Sequence, residues 1–313
     1  TRLFGREDQL RVLREAATRA SAGEGPRLVL ISGPSGFGKS ALVEALAPEW
    51  LKAGFTFGHG KFDPLANAAP FAAAHQALEM LIGQQLALEA EALGALRHRL
   101  TAELGDLVGA LVEVAPAAAA LLPERPTPVP LAPAEHRERL RLAFQRFFAG
   151  IASADRPLAL FLDDLQWADK DSRALLQELQ RGLAHTPLLL VATARPGSHG
   201  LRELLGKSCR TVDIGPLEGS LAVDLWKRWA GNAAELPSLG EAVHPLYLRE
   251  LARWRAQEGN RASDSATFDL HSLCHARVDD LPETQREHFA AVCVAGRPLS
   301  IGVLASVLGR PAD

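Results

Sequence analysis

The stretch LVLISGPSGFGKSALVEAL, residues 28–46, joins an apolar run to a helix-forming run through a glycine-rich bend. Leu28–Ser32 is short, oily and free of breakers, as a strand buried on both faces of a sheet must be. Gly33, Gly38, Lys39 and Ser40 then satisfy the spacing G-x-x-x-x-G-K-[ST]. Glycines let successive backbone N–H groups converge on one point, and the start of the following helix adds its positive end. Gly33, Pro34, Ser35, Gly36, Phe37, Gly38, Lys39, Ser40 and Ala41 therefore read as a cradle for phosphate oxygens. In such a loop Lys39 reaches the β- and γ-phosphates of a nucleotide, and the Ser40 hydroxyl ligates Mg2+. ATP or ADP with Mg2+ is the expected cofactor set.

A second stretch, LFLDDLQWADKDS at residues 160–172, runs an oily strand into two adjacent acids. Unpaired buried carboxylates are costly, so a cation must face them. In P-loop NTPases a carboxylate at the tip of a neighbouring strand holds the metal. Asp163 suits that role, with Asp164 placed to polarise an attacking water as the catalytic acid. Asp169 or Asp171 is the expected cap of the helix that follows. A third run, Leu188–Ala194, ends in ATARP, which sets Arg195 at the edge where ligands of parallel sheets gather. Arg195 is the candidate γ-phosphate sensor.

Two further runs, Phe55–Gly58 and Thr211–Ile214, complete five expected strands: Leu28–Ser32, Phe55–Gly58, Leu158–Asp163, Leu188–Ala194 and Thr211–Ile214. Their alternation with helical periodicity predicts a parallel α/β sheet. Before the first strand, Leu10, Leu13 and Ala17 share one face of a helix ending near Gly23. The helix after the glycine loop is expected to stop at Pro48. Residues 71–114 read as two or three helices, and five prolines in the eleven residues PERPTPVPLAP, 123–133, predict an extended linker. Another helix is expected over 135–149. After Pro216 the sheet pattern stops, and Leu217, Leu221, Leu225 and Trp229 recur every four residues as in a helix. Trp226, Trp229 and Trp254 fall at helical spacings and read as core. The last segment reads as two helices, Pro282 in the first turn of one and Ser300 capping the other.

Composition narrows the partners. The chain has 313 residues, 47% hydrophobic and 23% charged, with a net charge of −3. That balance suits a folded protein and gives no electrostatic signature of nucleic acid or an anionic membrane. No apolar run nears the ~20 residues needed to cross a bilayer. Cys209, Cys274 and Cys293 have no ligand-like spacing, and the ten histidines form no metal-type cluster, which fits reduced thiols in a cytoplasmic protein. The chain opens at Thr1 rather than Met, as a piece of a longer protein would.

Taken together, LFGRE (Leu3–Glu7), the glycine loop, FLDDLQWADKDS, Arg195 and HPLYLREL (His244–Leu251) resemble the STAND class of signal-transducing AAA-type ATPases, related to the NACHT, NB-ARC and MalT-like switches. The resemblance implies that Phe4, Gly5 and Arg6 line an adenine pocket and that Pro245 packs on the nucleotide. Such proteins carry a glycine where this chain has Val243, and often Glu where it has Asp164. GHGKFDPLANAAPFAAAHQALEMLI, residues 58–82, narrows the likeness to the ATPase module of multidomain proteins with Ser/Thr-kinase-like and histidine-kinase domains. Lys61 and Asp63 in it either join the active edge or form an internal salt bridge. The fold so implied is an α/β P-loop NTPase domain with a five-stranded parallel sheet over residues 1–215, carrying a helical insertion at about 64–150. A helical lid domain, 216–265, and the start of a winged-helix domain, 266–313, would follow.

Three functions fit. The first is a slow ATPase switch whose nucleotide state controls domain packing or homo-oligomer formation beside kinase-like flanking domains. The second is the ATPase module of a MalT-like DNA-binding regulator; Ser300–Gly309 holds no Lys or Arg, which argues against nucleic acid as a partner of this segment. The third is an ATP-binding scaffold that does not hydrolyse.

Overall fold

A computed structural model describes residues 3–24, 27–64, 70–122, 131–182, 186–198, 200–206, 209–230, 242–258, 270–295 and 301–308. Most of the proline-rich linker and Ser300 lie outside the described residues. Within them, residues 3–35, 39–64 and 70–214 form one compact unit, and residues 36–38 and 215–308 group as a second.

The first unit is a three-layer α/β sandwich. Its strands are β1 (Arg27–Ser32), β2 (Thr56–Lys61), β3 (Leu158–Asp163), β4 (Leu188–Ala194) and β5 (Arg210–Asp213), all parallel, in the order β2-β3-β4-β1-β5. The first helices are α1 (Glu7–Ser21) and α2 (Lys39–Lys52), and α3 (Ala72–Leu86), α4 (Ala90–Leu104), α5 (Val108–Val114) and α6 (Pro133–Ile151) lie between β2 and β3. Helices α7 (Lys170–Gly182) and α8 (Leu201–Leu205) flank β4.

Side chains alternate across a sheet, so each strand serves two cores. Leu28 and Leu30, Leu158, Leu160 and Leu162, Leu188, Leu190 and Ala192 join one cluster with Leu78 of α3, Phe144 and Phe148 of α6, and Leu176 of α7. Val29, Ile31, Ala159, Phe161, Leu189 and Val191 take the other face, where Leu42, Val43 and Leu46 of α2 are also fully buried. Asp163 and Thr193 share that second face by parity, and Lys61 stands in register with Asp163.

The element readings hold with four corrections. Strand β2 runs on past the expected stop at Gly58 to Lys61. Helix α2 runs through Pro48 to Lys52. A proline inside a helix costs about 3 kcal/mol, and the buried Trp50 in the turn beyond it offsets that. Strand β3 is not beside the glycine-loop strand: β4 lies between them, pairing with both. The sheet pattern also does not end at Pro216. In the second unit β6 (Leu217–Glu218) pairs antiparallel with β7 (Ala242–Val243). These two short pieces carry no periodicity from which a strand could be read.

The rest of the second unit is helical: α9 (Gly219–Ala230), α10 (Pro245–Glu258), α11 (Leu270–Asp279), α12 (Glu283–Ala295) and α13 (Ile301–Leu308). Trp226 is fully buried, whereas Trp229 is 38% exposed and is not core. Buried Glu250 of α10 accepts from Arg277 of α11 as well as from Arg249 and Arg253, which pins the two helices together. Helices α12 and α13 pack on each other. Among the described residues no helix is long and apolar enough to cross a membrane.

Glycine matters most where β2 meets α3. A Cβ on Gly60 would sit 1.8 Å from the Ala73 carbonyl oxygen, while one on Gly58 would sit 3.0 Å from the Leu81 Cδ1, the end of a side chain. The Gly60 clash is with backbone and the Gly58 one with a buried side chain that must give only slightly, so Gly60→Ala is expected to cost about 2 kcal/mol or more and Gly58→Ala about 1, within the range of overpacking. Equal midpoints for the two variants in urea unfolding would refute this close approach.

Candidate nucleotide-binding site

The glycine loop leaves the carboxyl end of β1 and enters α2 at Lys39 without an intervening residue. Gly33 is held by its N–H to the Ala194 carbonyl (3.2 Å), and a Cβ there would meet the Ile214 oxygen at 2.7 Å. Gly36 and Gly38 adopt φ of +78° and +89°, the left-handed region that glycine enters without penalty. Pro34 and Ser35 are exposed, and Gly36, Phe37, Gly38, Ser40 and Ala41 are half-buried. Within the second unit the Phe37 ring meets His244 edge-on, centroids 4.5 Å apart.

Lys39 is 7% exposed and folds back to donate to the carbonyls of Gly33 (2.9 Å) and Pro34 (3.0 Å). Burial lowers its pKa, and Asp164 and Asp163 oppose that shift. A buried ammonium at the head of a helix, resting on carbonyls it can exchange, suits an incoming phosphate.

Asp163 ends β3 at 4% exposure, and its neighbours come from three other elements. The Ser40 Oγ of α2, 123 residues away in sequence, lies 2.9 Å from both carboxylate oxygens. The Thr193 hydroxyl of β4 donates to Oδ1 at 2.5 Å, and Lys61 of β2 places Nζ 3.7 Å from Oδ2. A hydroxyl and a carboxylate one hydrogen bond apart are hard oxygen donors in position to share one cation, the chemistry Mg2+ prefers. Among the described residues no set of three His, Cys, Asp or Glu side chains gathers to hold a metal. Two protein ligands with the remaining places for phosphate oxygens and water match the habit of Mg2+.

Asp164 follows in a left-handed conformation, φ +59° and ψ +44°. Its N–H donates to the Thr193 hydroxyl (2.9 Å), Gln166 Nε2 donates to its Oδ1 (2.9 Å), and Lys61 Nζ lies 3.2 Å from Oδ2. Burial would raise its pKa, but Gln166 and Lys61 outweigh burial and hold it low, so the carboxylate stays ionised. Burial likewise opposes the charge on Lys61, and its pairing with Asp164 and Asp163 raises its pKa overall.

Gln166 also accepts from the Arg195 N–H (3.2 Å), tying the loop after β4 to Asp164. The Arg195 guanidinium lies over Trp167, 5.7 Å from the ring centroid. Asp169 caps α7, accepting from the Ser172 N–H at 2.9 Å. Of the residues from the resemblance, Gly5 has φ +64°, Phe4 is half-buried, and Arg6 is buried, which lowers its pKa. Pro245 opens α10 in the second unit. Sequence reasoning missed Thr193 and Gln166. Thr193 is the one hydroxyl in the oily run LLLVATA, and Gln166 sits inside a motif already read for its acids. It raised Lys61 with its role open, and the structure pairs it with both acids.

Comparison with known proteins gives two sequence relatives. The hybrid signal transduction histidine kinase G of Dictyostelium discoideum is 33% identical over 178 residues, 56% of this chain and 5% of that protein. The uncharacterized protein R02095 of Rhizobium meliloti (strain 1021) is 27% identical over 334 aligned residues, 98% of this chain and 31% of that protein. The chain thus spans less than a third of either relative's length. Among solved structures, the ORC1 protein of Aeropyrum pernix in complex with DNA aligns at a TM-score of 0.47 and 16% identity, covering 97% of this chain and 76% of that one. Cdc6p from Pyrobaculum aerophilum aligns at 0.46 and 15%, covering 99% and 82%. Residues 2–191 match the family model of the AAA ATPase domain. With that model covering more than half of its length, this α/β P-loop chain belongs to the AAA ATPase domain family.

Proposed function

We propose that this chain is a Mg2+-dependent ATP-binding and slowly hydrolysing switch module of a larger signalling protein, of the STAND type. One observation carries the nucleotide reading: Asp163 and the adjacent pair Lys39 and Ser40, 123 residues from it at Ser40, meet at one rim of the sheet, with the Ser40 and Asp163 oxygen donors 2.9 Å apart. Bound Mg2+ would neutralise charge on the phosphates. Lys39 would exchange its two carbonyl acceptors for phosphate oxygens, and Ser40 and Asp163 would hold the metal through their oxygens. Asp164, ionised, orients a water and accepts its proton. Arg195, whose N–H donates to Gln166, is the proposed sensor of the γ-phosphate.

The switch reading rests on the resemblance and on the division into two compact units. The resemblance implies nucleotide contacts for Phe4, Gly5, Arg6 and Pro245, and a ligand that binds two conformations unequally shifts their populations. The helical lid and the partial winged helix are the proposed identities of residues 216–265 and 266–313. The Dictyostelium relative, a hybrid histidine kinase by name, supports a signalling setting with kinase-like flanking domains. A cytoplasmic location and a homo-oligomeric active form belong to the same proposal.

Lys39→Ala is expected to weaken ATP binding about a hundredfold, the worth of a lost charged hydrogen bond, measured by calorimetry; unchanged affinity removes Lys39 from the site. Asp164→Asn is expected to lower kcat by about a hundredfold or more, as loss of a general base does, with nucleotide Kd kept. A parallel loss of affinity would make Asp164 a binding group instead. Limited proteolysis should give different fragments with ATP, with ADP and with neither, and a single pattern in all three would exclude the switch.

A further inference from the structure

The proposed mechanism gives Lys61 no role, yet it is the cation among the described residues within ion-pair distance of both acids, 3.7 Å from Asp163 and 3.2 Å from Asp164. Its place is built rather than incidental. The β2–β3 register sets it beside Asp163, and the Phe62 N–H donates to the Asp163 carbonyl at 3.0 Å. Its own N–H donates to Gln76 Oε1 of α3 at 2.8 Å, and Gly60 lets α3 close onto β2. The backbone is therefore clamped from two sides, while the side chain is 57% exposed and free to swing without opening the core. Lys39, the other ammonium nearby, is already engaged by two carbonyls.

We propose that Lys61 is the resident counter-ion of the nucleotide-free acid pair and bars free divalent cations from it, so that metal enters only together with a nucleotide. The proposal rests on the reading of Ser40 and Asp163 as metal ligands. Two carboxylates already neutralised in part by an ammonium gain little from a free ion, which must first displace that ammonium from both. Lys61 leaves the pair at low cost only when another anion takes its charge, and the phosphates of a nucleotide are such an anion. A positioning residue of this kind makes metal binding conditional on nucleotide, which protects an ATPase site from idle occupation by metal.

The test is Mn2+ binding to the whole chain, followed by loss of the free-ion paramagnetic resonance signal without nucleotide. Wild type is expected to bind weakly. Lys61→Gln is expected to bind one Mn2+ at least about tenfold more tightly, the order of effect for one partly exposed charge at this range. Lys61→Arg, which keeps the charge, should stay near wild type, and Lys61→Gln with Asp163→Asn should lose the gain. Should Lys61→Gln fold poorly, Mn2+ should raise its melting temperature and not that of wild type. Equal Mn2+ affinity in wild type and Lys61→Gln, or a gain that survives Asp163→Asn, overturns the proposal. ATP binding by wild type is measured separately: its absence defeats the proposed function, while the nucleotide-free Mn2+ comparison decides the role of Lys61 independently.

Discussion

A carboxylate at 4% exposure survives only where donors and a positive charge meet it, and the architecture of the site follows from how Asp163 is met. Its partners are a hydroxyl from α2, a hydroxyl from β4 and an ammonium from β2. Each comes from a different element, so the carboxylate is satisfied only when sheet and helix are assembled around it. An isolated β3 would carry an unpaired acid into an apolar layer. The full β3 run, buried from Leu158 to Asp163, can therefore end in a charge because its neighbours supply the compensation at that height.

Strand order is what brings those neighbours together. Placing β4 between β1 and β3 puts Thr193 one strand from Asp163, where its hydroxyl donates to the acid and accepts from the Asp164 N–H. One buried hydroxyl thus satisfies two successive residues of the acid pair. The same interposition leaves the width of a strand between β1 and Asp163, which Ser40 spans from the first turn of α2. Strict alternation does the rest: Lys61, Asp163 and Thr193 are odd-numbered residues on in-register strands and so rise on one face. A one-residue slip in any of these strands would turn its polar group into the opposite core.

Much of this was legible in the residues. Leu158–Asp163 and Leu188–Ala194 are oily runs with clear stops, and both strands match those bounds. The glycine loop is a local motif, so its residues could be named one by one. Thr193 and Gln166 were not legible because their roles arise from register across strands and from a loop contact, neither of which leaves a spacing in the sequence. Pro48 failed as a stop signal because a helix interior weighs burial as well as propensity, and Trp50 lies in the same turn. The β6–β7 pair escaped because two-residue strands are too short to show alternation.

Asp164, where the resemblance leads to an expectation of Glu, has a reason in the backbone. The chain must leave β3 and enter a single 3₁₀ turn at Leu165–Trp167, and it does so through a left-handed residue at φ +59°. Among residues with a Cβ, Asp and Asn tolerate that conformation best. A short carboxylate on a left-handed residue also points within reach of its own loop, and Gln166, two residues on, donates to it. A longer acid at this position would keep the charge but give up that local bond and meet the conformational penalty. The shorter acid thus belongs to the turn that aims it, and Gln166 and Lys61 hold its charge in place.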